Sequence, residues 1–232
     1  MKKTEKITLA FDVYGTLINT HGVLVLLESM IGEKANVFSN LWREKQLEYS
    51  FRKGLMDAYE HFGLCTAQAL DYADAFLQTN LSASQKQTLL NQYKILPAFD
   101  DVIAGLDNID KERFNLYAFS NGLYDSVNQL LEQAKISQHF DGVVSVDPLK
   151  TFKPNPKVYQ YFLDQSNSQA KQTWLISSNN FDVLGALNYG LNSVWVKRSA
   201  QQVFDFWSKS PTLTLDDLTD LGSNIIQYTE QS

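Results

Sequence analysis

Four short clusters of polar residues have the types and order to do chemistry together. The first is Asp12-Val13-Tyr14-Gly15-Thr16-Leu17 and the second Ser120-Asn121-Gly122. The third is Phe152-Lys153-Pro154-Asn155-Pro156, and the fourth runs from Ser177 through Ser178, Asn179, Asn180 and Phe181 to Asp182. A carboxylate such as Asp12 can attack an electrophilic carbon and form an ester. A lysine such as Lys153, brought beside it, favours the charged form of that carboxylate. Ser120 and the amides after it suit an anion, because free N–H groups at a helix start attract negative charge. Each residue also has a plainer reading. Asp12, Ser120, Asn179 and Asp182 could be caps, and Lys153 an exposed lysine before a helix started by Pro154 and Pro156.

What separates the readings is where the clusters fall. Ile7-Thr8-Leu9-Ala10-Phe11 is apolar and partly β-branched, which predicts a strand buried on both faces of a parallel sheet, ending at Asp12. After Pro97 the pattern alternates. Strands are predicted at Leu116–Phe119, Val143–Val146, Trp174–Ser177 and, last, Val194–Val196. Helices are predicted at Leu123–Gln133, Pro156–Leu163 and Val183–Leu187. Such alternation calls for a doubly wound α/β core, a mainly parallel sheet covered by helices on both faces. Ligands in such sheets sit beyond the carboxyl ends of the strands, where all four clusters fall.

Between Gly22 and about Leu96 the pattern is helical only, with helices at Ala67–Leu77 and Ser84–Leu96. Earlier in this stretch Phe38, Leu41, Trp42 and Tyr49 share one helical stripe, and Arg43, Leu47 and Phe51 a second. A helix with two such stripes packs on its neighbours with one and faces a cleft with the other. The expected division is a core of residues 1–17 and 97–232, with a helical cap of residues 18–96 inserted after the first strand.

Composition narrows the function classes. The chain has 232 residues, 44% apolar and 20% charged, enough to bury a real core. A net charge of −6 argues against a nucleic-acid partner, which needs clustered Lys and Arg. Cys65 is the single cysteine, so no internal disulfide is possible, and it is expected to pack in a helix. The apolar run after the charged start Met1–Lys6 is broken at Asp12, too short for a signal peptide or membrane span. The expectation is a cytoplasmic protein without a membrane partner. His21, His61 and His139 match no metal or triad spacing.

The four clusters resemble, in order and context, the motifs of the haloacid dehalogenase superfamily, and the resemblance covers essentially the whole chain. Within it the chain is most similar to the type II group, the L-2-haloacid dehalogenases. The pointers are Asp-Val-Tyr-Gly-Thr-Leu, Trp42-Arg43 followed by Lys45-Gln46-Leu47-Glu48-Tyr49, Lys153-Pro154 with Tyr159 downstream, and Ser-Ser-Asn-x-x-Asp. Phosphatases of the superfamily carry a second Asp two residues after the nucleophile and bind magnesium there. Here Tyr14 and Asn179 stand at the positions that would be acidic, leaving few of the anionic oxygens magnesium wants. An alkoxide leaving group would also lack a general acid, whereas a halide leaves without a proton.

The resemblance implies hydrolysis of a short (S)-2-haloalkanoic acid to the (R)-2-hydroxy acid, without metal or organic cofactor, by a homodimer. Asp12 would be the nucleophile, assisted by Lys153, Asp182, Asn179, Ser177 and Thr16. Arg43 and Asn121 would take the halide and Ser120 the substrate carboxylate, with Tyr159 also on the substrate side. Tyr14, Leu47, Phe62 and Phe181 would form an apolar wall. Two positions depart from the pattern. Glu44 follows Arg43 where Gln is frequent, adding negative charge near the halide site, and Phe181 stands where Trp is common. The alternatives left open are a magnesium-dependent phosphatase acting on a small phosphorylated metabolite and a catalytically idle interaction module.

Overall fold

A computed structural model describes residues 6–231; the first five residues of the charged start lie outside it. Strand β1 (Ile7–Asp12) lies at the centre of a six-stranded sheet of order β3-β2-β1-β4-β5-β6. Its partners are β2 (Phe114–Ser120), β3 (Gly142–Ser145), β4 (Thr173–Ser177), β5 (Asn192–Val196) and β6 (Leu213–Leu215). Every pairing is parallel. The chain builds outward from β1 through β2 to β3, then returns to the other side of β1 for β4 to β6. That reversal opens a crevice at the carboxyl ends of β1 and β4, the switch point at which such sheets hold their ligands.

Alternation along the strands sends successive side chains to two cores. Leu9, Phe11, Leu116, Ala118 and Ile176 join one with α6 (Tyr124–Gln133) and α9 (Leu221–Gln231). Ala10, Phe119 and Leu175 join the other with α7 (Pro156–Ser166) and α8 (Asn180–Tyr189). Val194–Val196, expected to be the last strand, is followed by β6. Its three residues are half-buried or exposed, so their hydrophobic pattern is weak. The short α5 (Val102–Asp107) and α9, which carries polar and small residues along its length, also lay below sequence recognition.

Between β1 and α5 the α-helices are α1 (Leu24–Ile31), α2 (Ala35–Leu55), α3 (Phe62–Leu77) and α4 (Ala83–Gln92). Helix α4 starts one residue before the predicted Ser84, under a capping box of Ser82 and Gln85, and ends short of the predicted Leu96. The predicted stripes are visible on α2. Phe38 and Trp42 are buried in the core, with Leu41 and Tyr49 packed against it. Arg43 and Phe51 reach the loops at the strand ends. Cys65 is buried beside Phe62 and Phe152, a packing position. No helix among the described residues is long and apolar enough to cross a membrane.

Candidate active site

Asp12 ends β1 and is 7% exposed. Register places it one step beyond the Phe11–Ile176 pair, so Ser177 stands beside it at the end of β4. Gly15 follows at φ +86°, a backbone conformation open to glycine, and the turn brings Thr16 back over the carboxylate. Asp12 Oδ2 accepts three hydrogen bonds: from Thr16 Oγ1 at 2.8 Å, Ser177 Oγ at 3.1 Å and Asn179 Nδ2 at 2.6 Å. The Ser178 N–H donates to Thr16 Oγ1 at 2.9 Å, tying the first cluster to the fourth. Oδ1 faces a different neighbour, Lys153 Nζ at 3.2 Å.

Lys153 is 1% exposed, and its ammonium has three acceptors for its three protons. They are Asp12 Oδ1, Asp182 Oδ2 at 2.8 Å and the Phe119 carbonyl at 2.7 Å. Its backbone N–H donates to Asn121 Oδ1 at 2.9 Å, which joins the second cluster to the third. Two buried carboxylates therefore share one buried cation. Burial pushes the Asp182 carboxyl up to about 6, against the pull of the Lys153 ammonium and with the push of nearby Asp12.

Tyr159, expected on the substrate side, lies instead in the layer behind Asp182. It is fully buried, its ring packs on Phe119, and its hydroxyl donates to Asp182 Oδ1 at 2.8 Å. The hydroxyl is held protonated by burial and by the charge of Asp182. Ser120 is not a helix cap. Helix α6 begins at Tyr124 with Leu123 at its N-cap, while Ser120 Oγ accepts the Gly122 N–H at 3.1 Å within the turn.

Arg43 crosses from α2 to these loops. Its Nη2 donates to the Tyr14 carbonyl at 3.2 Å and to Asn179 Oδ1 at 3.4 Å. Glu44, one residue on, is exposed, so solvent and salt screen its charge. Tyr14 and Phe62 make a ring contact at 5.7 Å, and Tyr14 stacks on Tyr93 at 6.2 Å. Burial and the neighbouring Tyr93 raise the Tyr14 phenol, keeping it neutral. Leu47 is half-buried one turn beyond Arg43 on the same helix face. Phe181 packs edge-on against Phe51 at 5.0 Å, beside a cavity of about 450 Å³ that Lys153 and Phe152 also line. Sequence reasoning passed over Tyr93 and Thr66 and read Gln46 only as part of a motif; all three are buried. A glutamine and a threonine at core positions of α2 and α3 were the signal available.

The donor set does not suit magnesium, which binds hard anionic oxygens in octahedral array. Three neutral donors occupy Asp12 Oδ2, and an ammonium sits on Oδ1. Both Asp182 oxygens are taken by Lys153 and Tyr159. Among the described residues no group of three or more His, Cys, Asp or Glu side chains could hold a metal ion.

The chain is similar to known proteins in sequence and fold. The family described as haloacid dehalogenase-like hydrolase matches residues 9–196. The chain is 32% identical over 188 residues to (S)-2-haloacid dehalogenase 4A of Burkholderia cepacia, covering 81% of each chain. It is 31% identical to (S)-2-haloacid dehalogenase 1 of Pseudomonas sp. (strain CBS-3), covering 95% of this chain and 96% of the relative. A structure of the L-2-haloacid dehalogenase of Xanthobacter autotrophicus with chloropropionic acid covalently bound superposes with a TM-score of 0.89 at 26% identity. It covers 96% of this chain and 99% of that one. Because the family match runs from β1 to β5 and takes in all four clusters, the chain belongs to the haloacid dehalogenase-like hydrolases.

Proposed function

We propose that the protein hydrolyses short (S)-2-haloalkanoic acids to (R)-2-hydroxy acids through an ester on Asp12. The observation that carries this reading is the unequal surroundings of the two Asp12 oxygens. Oδ2 is held by three donors, whereas Oδ1 has Lys153 at the longer distance of 3.2 Å. Oδ1 is the attacking atom. It displaces halide from C2 with inversion, and the C–halogen electron pair leaves with the halide, so no acid is required. Water then adds to the ester carbonyl carbon, whose oxygen is Oδ2. The charge that develops there meets Thr16, Ser177 and Asn179, already in hydrogen-bond position. The bond from carbonyl carbon to Oδ1 breaks, the departing oxygen takes a proton from the water, and the second proton is released. Asp12 is restored with one oxygen from water, and the inverted configuration is kept.

Arg43 and Asn121 take the departing halide, and Ser120 with the amides after it takes the substrate carboxylate. Tyr14, Leu47, Phe62 and Phe181 form the apolar wall, for which the Tyr14–Phe62 contact is the support. Asp182 orients Lys153, with Tyr159 behind it. The relatives named as (S)-2-haloacid dehalogenases and the Xanthobacter enzyme carrying covalently bound chloropropionic acid support the substrate class. We also divide the chain into a core of residues 1–17 and 97–232 and a cap of residues 18–96. This rests on the two crossings running side by side: Asn19 N–H donates to the Pro97 carbonyl at 2.9 Å and Phe99 N–H to the Leu17 carbonyl at 3.1 Å. A cytoplasmic homodimer completes the reading, on the resemblance.

The deciding experiment is halide release from (S)- and (R)-2-chloropropionate with EDTA present, for the wild type and Asp12→Asn. Release from the (S) form only, and only by the wild type, is expected. Turnover that a chelator abolishes, or that persists in Asp12→Asn, would overturn the reading.

A further inference from the structure

We infer that Gln46 is a positioning residue for Arg43: a buried neutral amide that aims the guanidinium at the Asp12 cleft while leaving its positive charge intact. The inference rests on the proposed role of Arg43 toward a departing halide. Gln46 is 0% exposed and lies three residues after Arg43 on α2. An uncharged polar side chain buried so fully must have its hydrogen bonds met, and each of those made here has a forced direction.

The chain of bonds begins at the Phe62 carbonyl, which can only accept. Thr66 Oγ1 donates its single proton there at 3.0 Å. Thr66 Oγ1 therefore receives from its other neighbour, and Gln46 Nε2 donates to it at 2.5 Å. This turns Gln46 Oε1 toward Arg43, whose guanidinium can only donate, and Nη1 is bonded to it at 2.6 Å. The Tyr93 hydroxyl donates to the same oxygen at 3.4 Å. With Nη1 held, Nη2 points to the strand ends, where it meets the Tyr14 carbonyl and Asn179 Oδ1. The same bond orients Asn179, whose Nδ2 then faces Asp12 Oδ2 at 2.6 Å. A directed path thus runs from the α3 backbone to the nucleophile. The α3 end is anchored further by Trp42 Nε1, which donates to the Thr66 carbonyl at 2.8 Å.

The chemistry of the acceptor matters as much as its position. A carboxylate at position 46 would pair with Arg43 equally well but cancel its charge in a site shielded from water. Gln46 Oε1, the Tyr14 carbonyl and Asn179 Oδ1, which hold the guanidinium, are all neutral, as is the Tyr93 hydroxyl that also meets it. Its charge stays available to an incoming anion.

The test compares wild type, Gln46→Met, Gln46→Glu, Arg43→Ala and the double variant Arg43→Ala with Gln46→Met. Halide release is followed from (S)-2-chloro-, bromo- and iodopropionate. Misplacing a group that assists departure costs up to about 100-fold in rate. Gln46→Met should lower kcat by about 10- to 100-fold on the chloro substrate, less on the iodo one, with a smaller change in KM. The double variant should be no slower than Arg43→Ala alone. NMR of the Arg43 guanidinium gives a readout independent of turnover: rotation about its Cζ–N bonds should be hindered in wild type and Gln46→Glu but free in Gln46→Met. Gln46→Glu should keep that hindrance and still lose kcat. Equal losses on all three halides with additive effects, or unrestricted rotation in wild type, would overturn the inference. If wild type releases no halide while its Arg43 rotation is hindered and that of Gln46→Met is free, the dehalogenase reading fails and the positioning role stands.

Discussion

The smallest unit that matters is a single ammonium between two carboxylates. Lys153 touches Asp12 and Asp182 and is itself almost wholly buried. Removing one member of a buried charged set leaves the others uncompensated and costs about 3–5 kcal/mol. Lys153→Met should lose stability of that order in urea unfolding at pH 7.5, and less at pH 5, where Asp182 is protonated. The carboxyl of Asp182, pushed up to about 6 by burial, also sets a pH limb. Its folded value lies above the ordinary 3.8, so its proton contribution to stability is complete below about pH 4 and lost as pH rises through about 6. Activity moves oppositely, because Lys153 is held by the ionised form. Halide release should fall as pH drops through about 6. Tyr159→Phe deletes a bond that favours the ionised carboxylate, so the limb of its pH–rate profile should shift to higher pH.

At the scale of elements, the site depends on how closely α7 and α8 approach. A Cβ on Gly185 would strike the Tyr159 hydroxyl and come within 2.7 Å of Pro154. A buried tyrosine ring and a proline ring stand there, and neither can rotate aside cheaply. Gly185→Ala should cost about 1–3 kcal/mol, read as a lowered Tm. It should also slow turnover, because Asp182 rides on the first turn of α8. A second link reaches the Asp12 turn from β5. Arg198 donates to the Thr16 carbonyl through Nε at 3.1 Å and Nη2 at 2.6 Å, and pairs with Asp101 through Nη1 at 2.6 Å. Replacing it by Lys would keep charge but lose the planar fork, so Arg198→Lys should lower kcat with little change in Tm.

For the molecule as a whole, α2 is the element that brings inserted helices and sheet into one site. Its 21 residues span roughly 31 Å, carrying Arg43 over the Asp12 turn and Phe51 onto Phe181. The proposed homodimer has a direct measurement. Sedimentation equilibrium should give about twice the chain mass of 26.4 kDa, and a monomer at micromolar concentration would remove that part of the proposal.

Much of this was legible in the sequence, for a local reason. Strand ends, turn glycines and short polar motifs are written in adjacent residues, so β1, helices α6, α7 and α8 and the four clusters could be read before any contact was known. Asp12, Asn179 and Asp182 fall together because β1 and β4 are neighbours in the sheet, and Lys153 reaches them from the loop before α7 across the end of β2. The family resemblance supplied the rest of the chemistry in outline. Tertiary structure alone decided the unequal surroundings of the two Asp12 oxygens, since the three-donor grip on Oδ2 joins residues up to 167 positions apart. It also moved Tyr159 behind Asp182, turned Glu44 to solvent, and aligned Thr66, Gln46 and Arg43. Hydrogen-bond direction and burial depend on which distant groups share a space, and no local pattern of residue types encodes that.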